Sequence, residues 1–199
     1  MIKKIKKIIS FRLNIISLNR ENKSVMINIG SGHDVYEGWI TTDIGLLDVT
    51  NKLDWFLCVW PFKVDRILAE HVWEHLTLIA AQSGVSNCKK YLKNGGILRL
   101  AVPDGLFPDN EYIEHIKPNG IGPGADDHQV LYNYKTLSQL IVTCGLDYCL
   151  LEYWDENGRF VENDWEVIDG MIKRSRRYDE RNDSNNIRYT SLIIDGIKK

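Results

Sequence analysis

The chain has 199 residues, 44% of them hydrophobic and 26% charged, with a formal net charge of −2. That is enough to bury a core as one domain without disulfide or metal staples, and the faintly acidic balance excludes bulk nucleic-acid binding. The four cysteines, Cys58, Cys88, Cys144 and Cys149, form no CxxC pair and no metal-type spacing, which predicts reduced thiols in a cytoplasmic protein. No apolar run approaches the length of a bilayer span, and there is no internal repeat or low-complexity tract.

The first twenty residues, MIKKIKKIISFRLNIISLNR, stand apart. Ile2, Ile5, Ile9, Leu13 and Ile16 recur at helical spacing, and Lys3, Lys4, Lys6, Lys7 and Arg12 supply positive charge. This pattern predicts a basic amphipathic helix over residues 1–22. Arg12 and Asn14 interrupt any signal-peptide core, and no small-residue cleavage site follows. Two readings stay open: a helix lying on an anionic inner leaflet as a peripheral contact, or a cap packed on the domain of residues 23–199.

Residues 25–43 read VMINIGSGHDVYEGWITTD. A short apolar run ends at Gly30-Ser31-Gly32, and a second β-rich run, residues 39–42, ends on Asp43. Glycines there let a ligand approach the backbone closely. An acid at the tip of the next parallel strand can accept hydrogen bonds from both hydroxyls of a ribose. Position 35 is Val, so GxGxxG is incomplete, and Asp43 follows Gly32 by only eleven positions. A full helix between these two strands is therefore not expected.

Residues 46–60 carry Asp48, Asp54 and the aromatics Trp55, Phe56 and Trp60. An acid beside an aromatic at the end of a third strand would hold an adenine by its amino group and its face; the alternative is that the aromatics are core. Residues 65–70, DRILAE, read as the next strand, with His71-Val72-Trp73-Glu74-His75 directly after it. If a helix starts at Trp73, His71 lies at the strand's carboxyl end, where open α/β sheets place ligands. His71, Glu74 and His75 then form a candidate divalent-metal site, or a base with its orienting partner, or hydrogen-bonded structure.

Helix is expected over residues 86–93, stopping at Asn94-Gly95-Gly96, and a buried strand over residues 97–102 that delivers Asp104 to the same carboxyl edge. Asp104 serves either in catalysis or as a turn former. Residues 107–129 are proline-broken loop, and Asp126-Asp127-His128 precedes a helix over residues 134–144. His128 is a candidate acid or base on a substrate lid; the plainer reading of this stretch is a helix start. A strand over residues 146–154, a turn at Asn157-Gly158 and a last strand over residues 191–197 frame a polar insertion, about residues 155–189. Its Lys173, Arg174, Arg176 and Arg177 are a solvated face or an anion site.

Four strand-like segments alternating with helices, then a late hairpin-like pair, imply an α/β doubly wound sheet. Over residues 25–199 the chain resembles the class I S-adenosylmethionine (SAM)-dependent methyltransferases. The likeness is carried by INIGSG (27–32) with Asp43, LDWFLCVWPF (53–62), AEHVWEHL (69–76) and YLKNGGILRLAVPD (91–104). It is strongest to a small bacterial subgroup found among polysaccharide-associated genes, whose members end with a similar LEYWDENG and SLIIDG pattern. The resemblance implies a Rossmann-like seven-stranded sheet with the last strand antiparallel, and SAM bound across the first and fourth strand ends. Gly30, Ser31 and Gly32 would lie at the methionine part, Asp43 at the ribose, Asp54 with Trp55 at the adenine, and Glu70 and His71 at the fourth strand end.

A hydroxyl acceptor needs a base, for which the candidates are His71 and His128. Some quinone-ring O-methyltransferases bear Glu-x-x-Glu-His at this place and bind a divalent metal there. Here His71 holds the first position, with Glu74 and His75 matching. The expected function is O-methylation of a small molecule or glycan, near the inner membrane if the first helix meets lipid. The competing readings are a nicotinamide-dependent oxidoreductase, disfavoured by the incomplete glycine pattern and the lack of a Ser-Tyr-Lys arrangement, and a cofactor-binding module without turnover.

Overall fold

The computed structural model describes residues 2–183 and 186–199, apart from the side chain of Ile2. Ile2 in the apolar stripe, Met1, and Ser184 and Asn185 of the polar insertion thus lie outside what is described below. The strands are β1 (Met26–Ile29), β2 (Trp39–Thr42), β3 (Val64–Glu70), β4 (Leu92–Pro103), β5 (Asp147–Trp154), β6 (Phe160–Glu162) and β7 (Ser191–Ile197). They form one sheet in the order β2-β1-β3-β4-β7-β5-β6. The pairings among β2, β1, β3 and β4 are parallel, whereas β7 runs antiparallel to both β4 and β5. This is the expected seven-stranded α/β sheet with its last strand antiparallel.

The helices are α1 (Ile2–Arg20), α2 (Lys52–Cys58), α3 (Leu78–Tyr91), α4 (Asn110–Ile116) and α5 (Tyr134–Thr143). Side-chain caps set where they begin: Asn51 accepts from Leu53 N–H, Thr77 from Ala80 N–H, Asp109 from Glu111 N–H, and Asn133 closes a capping box with Thr136. As expected from the short spacing, β1 and β2 are joined without a helix.

Two expectations are corrected. The third strand placed in residues 46–60 is absent; Lys52–Cys58 is helical because Asn51 caps it and because Asp54, Trp55 and Cys58 fall on one buried face at helical rather than alternating spacing. The seventh strand of the sheet is β6, the hairpin partner of β5. The helix expected to run to residue 93 ends at Tyr91, and Asn94-Gly95-Gly96 lies within β4 as an irregularity: Val64 pairs Leu92 and Arg66 pairs Ile97, so residues 93–96 stand opposite Asp65 alone.

The two faces of the sheet are covered differently. One face carries Ile27, Ile67, Leu98, Leu100 and Ile194 and packs under α1, α2, α3 and α5 through Phe11, Trp55, Val85 and Ile141. The alternate residues of the same strands, Leu68, Ala101, Leu151 and Ile193, face the other way and meet Trp165 and Ile172 of the polar insertion, with Tyr36, Trp39 and Tyr178 beside them. That second face holds a buried ion pair. Arg99 on β4 is 1% exposed and grips Asp195 on β7 through Nε and Nη2, both at 2.8 Å, while its Nη1 reaches the carbonyls of Glu166 and Gly170. Its guanidinium also lies 5.0 Å from the Trp165 ring centroid.

Removing one partner of a buried pair strands the other charge. Arg99→Ala is expected to cost about 3–5 kcal/mol in urea unfolding, and the Arg99→Met/Asp195→Leu double variant should regain most of it. A single variant as stable as the wild type would show that the pair does not hold this face.

Candidate functional site

Because β1, β2, β3 and β4 are parallel, their carboxyl ends bring Gly30, Asp43, His71 and Asp104 to one edge. Gly30 (φ +64°) and Gly32 (φ +53°) take backbone conformations that disfavour a side chain. A Cβ on Gly30 would stand 2.4 Å from Val72 Cγ2, so the turn packs against the segment after β3, while the space over Gly32 is open. Ser31 N–H donates to the Thr42 carbonyl at 3.1 Å and so draws the turn to the tip of β2. Asp43 is exposed there; one oxygen accepts Ile44 N–H at 2.7 Å, and the other takes no hydrogen bond among the described residues.

Two cavities open on this edge. The first, about 430 Å³, is lined by Gly30, Gly32, Asp34, Tyr36, Glu70 and Lys173. The second, about 620 Å³, is lined by Glu74, His75, Tyr112, His128, Arg181 and Tyr189. His71 and Arg174 line both. The Tyr36 hydroxyl is buried without a hydrogen-bond partner, and burial with the nearby Glu70 and Asp34 charges pushes its pKa far up, so it stands as a neutral donor.

The second cavity contains a histidine cluster. His71 sits at φ +55° with Nδ1 2.9 Å from Glu74 Oε1 and Nε2 3.0 Å from the Ser191 hydroxyl. Glu74, 1% exposed, lies at ion-pair distance from His71, but neither of its oxygens is in a hydrogen bond of proper geometry. His75 Nδ1 is 2.6 Å from Asp127 Oδ1, and His128 Nδ1 is 2.7 Å from the Ile116 carbonyl. A carbonyl can only accept, so His128 carries its proton on Nδ1 and presents Nε2 as a lone pair. The carboxylate at Asp127 orients His75 in the same way. The two rings meet edge-on at 4.7 Å, and one ligand atom from each of Glu74, His75 and His128 falls within 4.8 Å of the others.

The structure redistributes several expected roles. The metal-type grouping is Glu74, His75 and His128, not His71, Glu74 and His75, because His71 turns its nitrogens to Glu74 and Ser191. Both ring nitrogens of His71 thus lie against protein groups, Nε2 in a hydrogen bond with Ser191 and Nδ1 at ion-pair distance from Glu74. Asp54 and Trp55 do not meet a ligand at the sheet edge. Asp54 is buried, binding Lys4 Nζ at 2.9 Å and Asp48 N–H at 3.1 Å, and Trp55 is fully buried against Tyr91. Glu70 lines the first cavity, but its oxygens accept the amides of Arg174 and Lys173 at 2.8 and 3.1 Å and anchor the insertion.

Asp104 is wholly buried and takes Leu106 N–H at 2.9 Å and Trp154 N–H at 2.8 Å, so it ties β4 to β5 and touches neither cavity. The basic residues of the insertion are dispersed. Lys173 pairs with Asp34, Arg177 lies over Trp165, and Arg174 lines the cavities. Sequence reasoning missed Tyr36, Asp127, Tyr189 and Ser191 as site residues. The signal for the last two was topological: a final strand antiparallel to β4 must start at the edge where β4 ends.

Burial raises the Asp104 pKa to about 6. The folded state therefore holds this proton more tightly than the unfolded chain, so Asp104 adds stability below about pH 4 that is lost as pH rises through about 6. Its share is on the order of 3 kcal/mol. Subtracting the unfolding free energies of Asp104→Asn from those of the wild type across this range should leave that falling term, and a flat difference would refute it.

No family model matches the sequence, and no curated protein matches it. Solved structures match in shape. A SAM-dependent methyltransferase from Thermotoga maritima aligns with TM-score 0.53 at 12% identity, over 89% of this chain and 83% of its own length. Another from Archaeoglobus fulgidus aligns with TM-score 0.50 at 14% identity, over 93% and 92%. Likeness at such identities concerns architecture: the chain has the Rossmann-like fold seen in class I SAM-dependent methyltransferases.

Proposed function

We propose that the protein is a SAM-dependent methyltransferase acting on an oxygen of a small-molecule or glycan acceptor. The observation that carries this reading is the pair of cavities sharing His71 and Arg174 as their common wall. A glycine-turn chamber and a histidine chamber in contact suit a methyl donor and an acceptor that must be aligned in line. The residues fit the donor. The space over Gly32 admits close approach, and Asp43 has an oxygen to spare for ribose hydroxyls at the tip of the neighbouring strand. What supports a saccharide among the acceptors is the sequence likeness of LEYWDENG and SLIIDG to polysaccharide-associated methyltransferases.

When bound, SAM supplies a sulfonium methyl group electrophilic enough for direct attack. The chain's own part is to position the acceptor and take its proton. His75 Nε2, with Asp127 holding the opposite nitrogen, receives the hydroxyl proton, and His128 lies against it with a second lone pair. His71, fixed between Glu74 and Ser191, is a positioning residue in the wall between the chambers.

One observation favours a second reading of the same cluster: the Glu74 carboxylate, buried without a proper hydrogen bond beside two imidazoles whose Nδ1 atoms are already held. That donor set fits a divalent ion of the zinc, iron or manganese type. Glu74, His75 and His128 would hold it, and it would supply Lewis acidity to the acceptor oxygen.

Calorimetric titration with S-adenosylhomocysteine should give micromolar binding, and NADH none. The reverse result would make the protein a nicotinamide enzyme, and silence with both would leave it a module without turnover. Asp43→Ala is expected to lose about 2–3 kcal/mol of affinity, some thirty- to more than a hundredfold, and unchanged binding would remove the ribose assignment.

Methyl transfer from labelled SAM to hydroxylated glycans should fall about a hundredfold or more in His75→Asn with S-adenosylhomocysteine affinity kept. Turnover should survive dialysis against EDTA. Loss on dialysis with recovery on adding back zinc or manganese, together with inactivity of Glu74→Gln, would replace the base by the ion.

A further inference from the structure

We propose that α1 and α2 together form a docking face for an anionic phospholipid bilayer. Helix α1 is apolar on two sides. Phe11 and Ile15 are buried in the main core, with Ile8 and Leu18 packed beside them. At 100° per residue, Ile5, Ile9 and Leu13 fall on the opposite side, where they are 47%, 53% and 58% exposed. The stripe visible in the sequence is therefore the outward one, and the helix is held to the domain by a different set of residues.

Helix α2 repeats the arrangement: Trp55 and Cys58 point into the core, while Leu53 and Phe56, with Trp60 just beyond the helix, are 59%, 47% and 51% exposed. Arg12 joins the two outer sets, its Nη1 binding the carbonyls of Leu57 and Trp60 at 2.9 and 2.8 Å, and Lys4 fixes the other end on Asp54. Large exposed side chains gathered on two adjoining helices are far more than the scattered apolar residues of an ordinary surface.

Charge selects the occupant. Helix α1 contains no acidic residue, and its Lys3, Lys6 and Lys7 are exposed. Lys52 and Lys63 are exposed at the two ends of the α2 segment, whose one carboxylate, Asp54, is buried under Lys4. The rim is thus predominantly cationic, the exposed Glu21 just beyond α1 being paired with Lys23, and its apolar centre includes Trp60 stacked on Phe56 at 5.1 Å. Aromatic and aliphatic side chains ringed by lysines suit the headgroup zone of an acidic membrane. A nucleic acid would leave the apolar centre unused. A second copy docked by a two-fold axis would bring one predominantly cationic rim against another.

The test is flotation of the full chain with phosphatidylcholine vesicles with and without phosphatidylglycerol. We expect binding at least about tenfold tighter to the anionic vesicles and weakened by salt. Ile9→Glu and Trp60→Ser should each reduce binding about tenfold or more, and the Lys3→Gln/Lys6→Gln/Lys7→Gln variant should lose the preference for anionic lipid. All three should keep the wild-type melting temperature. Absence of vesicle binding by the wild type, or variants that bind as it does, would overturn the proposal. So would a wild-type dimer in light scattering that Ile9→Glu converts to monomer, which would assign this face to a second copy.

Discussion

Arg99 is the point on which the second face of the sheet depends. A guanidinium at 1% exposure carries a desolvation cost of several kcal/mol, and here it is offset by a bidentate carboxylate, two backbone carbonyls and an indole face. Asp195 belongs to β7 and the other partners to the segment around Trp165, so one guanidinium ties β4 to β7 and both to the insertion. Two carboxylates on the sheet act in the same direction. Glu152 on β5 accepts from Trp165 Nε1, Arg176 N–H and the Thr190 hydroxyl, and Glu70 accepts from Lys173 and Arg174. An irregular stretch with little hydrogen bonding of its own is thereby given partners for its amides by acids on the sheet.

The need for such a cover follows from the eleven-position spacing between Gly32 and Asp43. A strand–turn–strand unit too short for a helix leaves one side of the sheet without the layer a βαβ crossover normally lays down. Trp165, Ile172 and Tyr178 fill that side. The insertion therefore belongs to the core and the site at once: its Trp165 end packs the back of the sheet, and its Arg174 end lines both cavities.

What was legible in the sequence was whatever depended on local pattern. The β-rich runs ending at Ile29, Thr42 and Glu70, the turn glycines and the final strand are found where the pattern put them. Residues 52–58 were misread because a run of aromatics looks like a strand when the Asn51 cap is overlooked. Lys93–Gly96 were misread because a glycine pair after a helix and one inside a strand carry the same local signal. At the site, the glycines and the histidines after β3 could be seen, being adjacent in sequence. The coupling of His75 to Asp127 and of His71 to Ser191 spans 52 and 120 positions, and no local periodicity encodes such distances. Asp104 misled because a carboxylate at a strand end looks the same whether it faces a cavity or takes two buried amides.

The double duty of the insertion constrains how this protein can change. In folds whose ligand loops stand on a complete scaffold, acceptor range drifts by loop replacement while the core stays untouched. Here the peptide that presents Arg174, Arg181 and Tyr189 to the histidine-lined cavity also carries the residues that seal the sheet. A change in what that cavity admits must therefore arise by point substitutions within a fixed backbone, and a graft of this segment onto another scaffold would have to bring Arg99, Asp195, Glu70 and Glu152 with it.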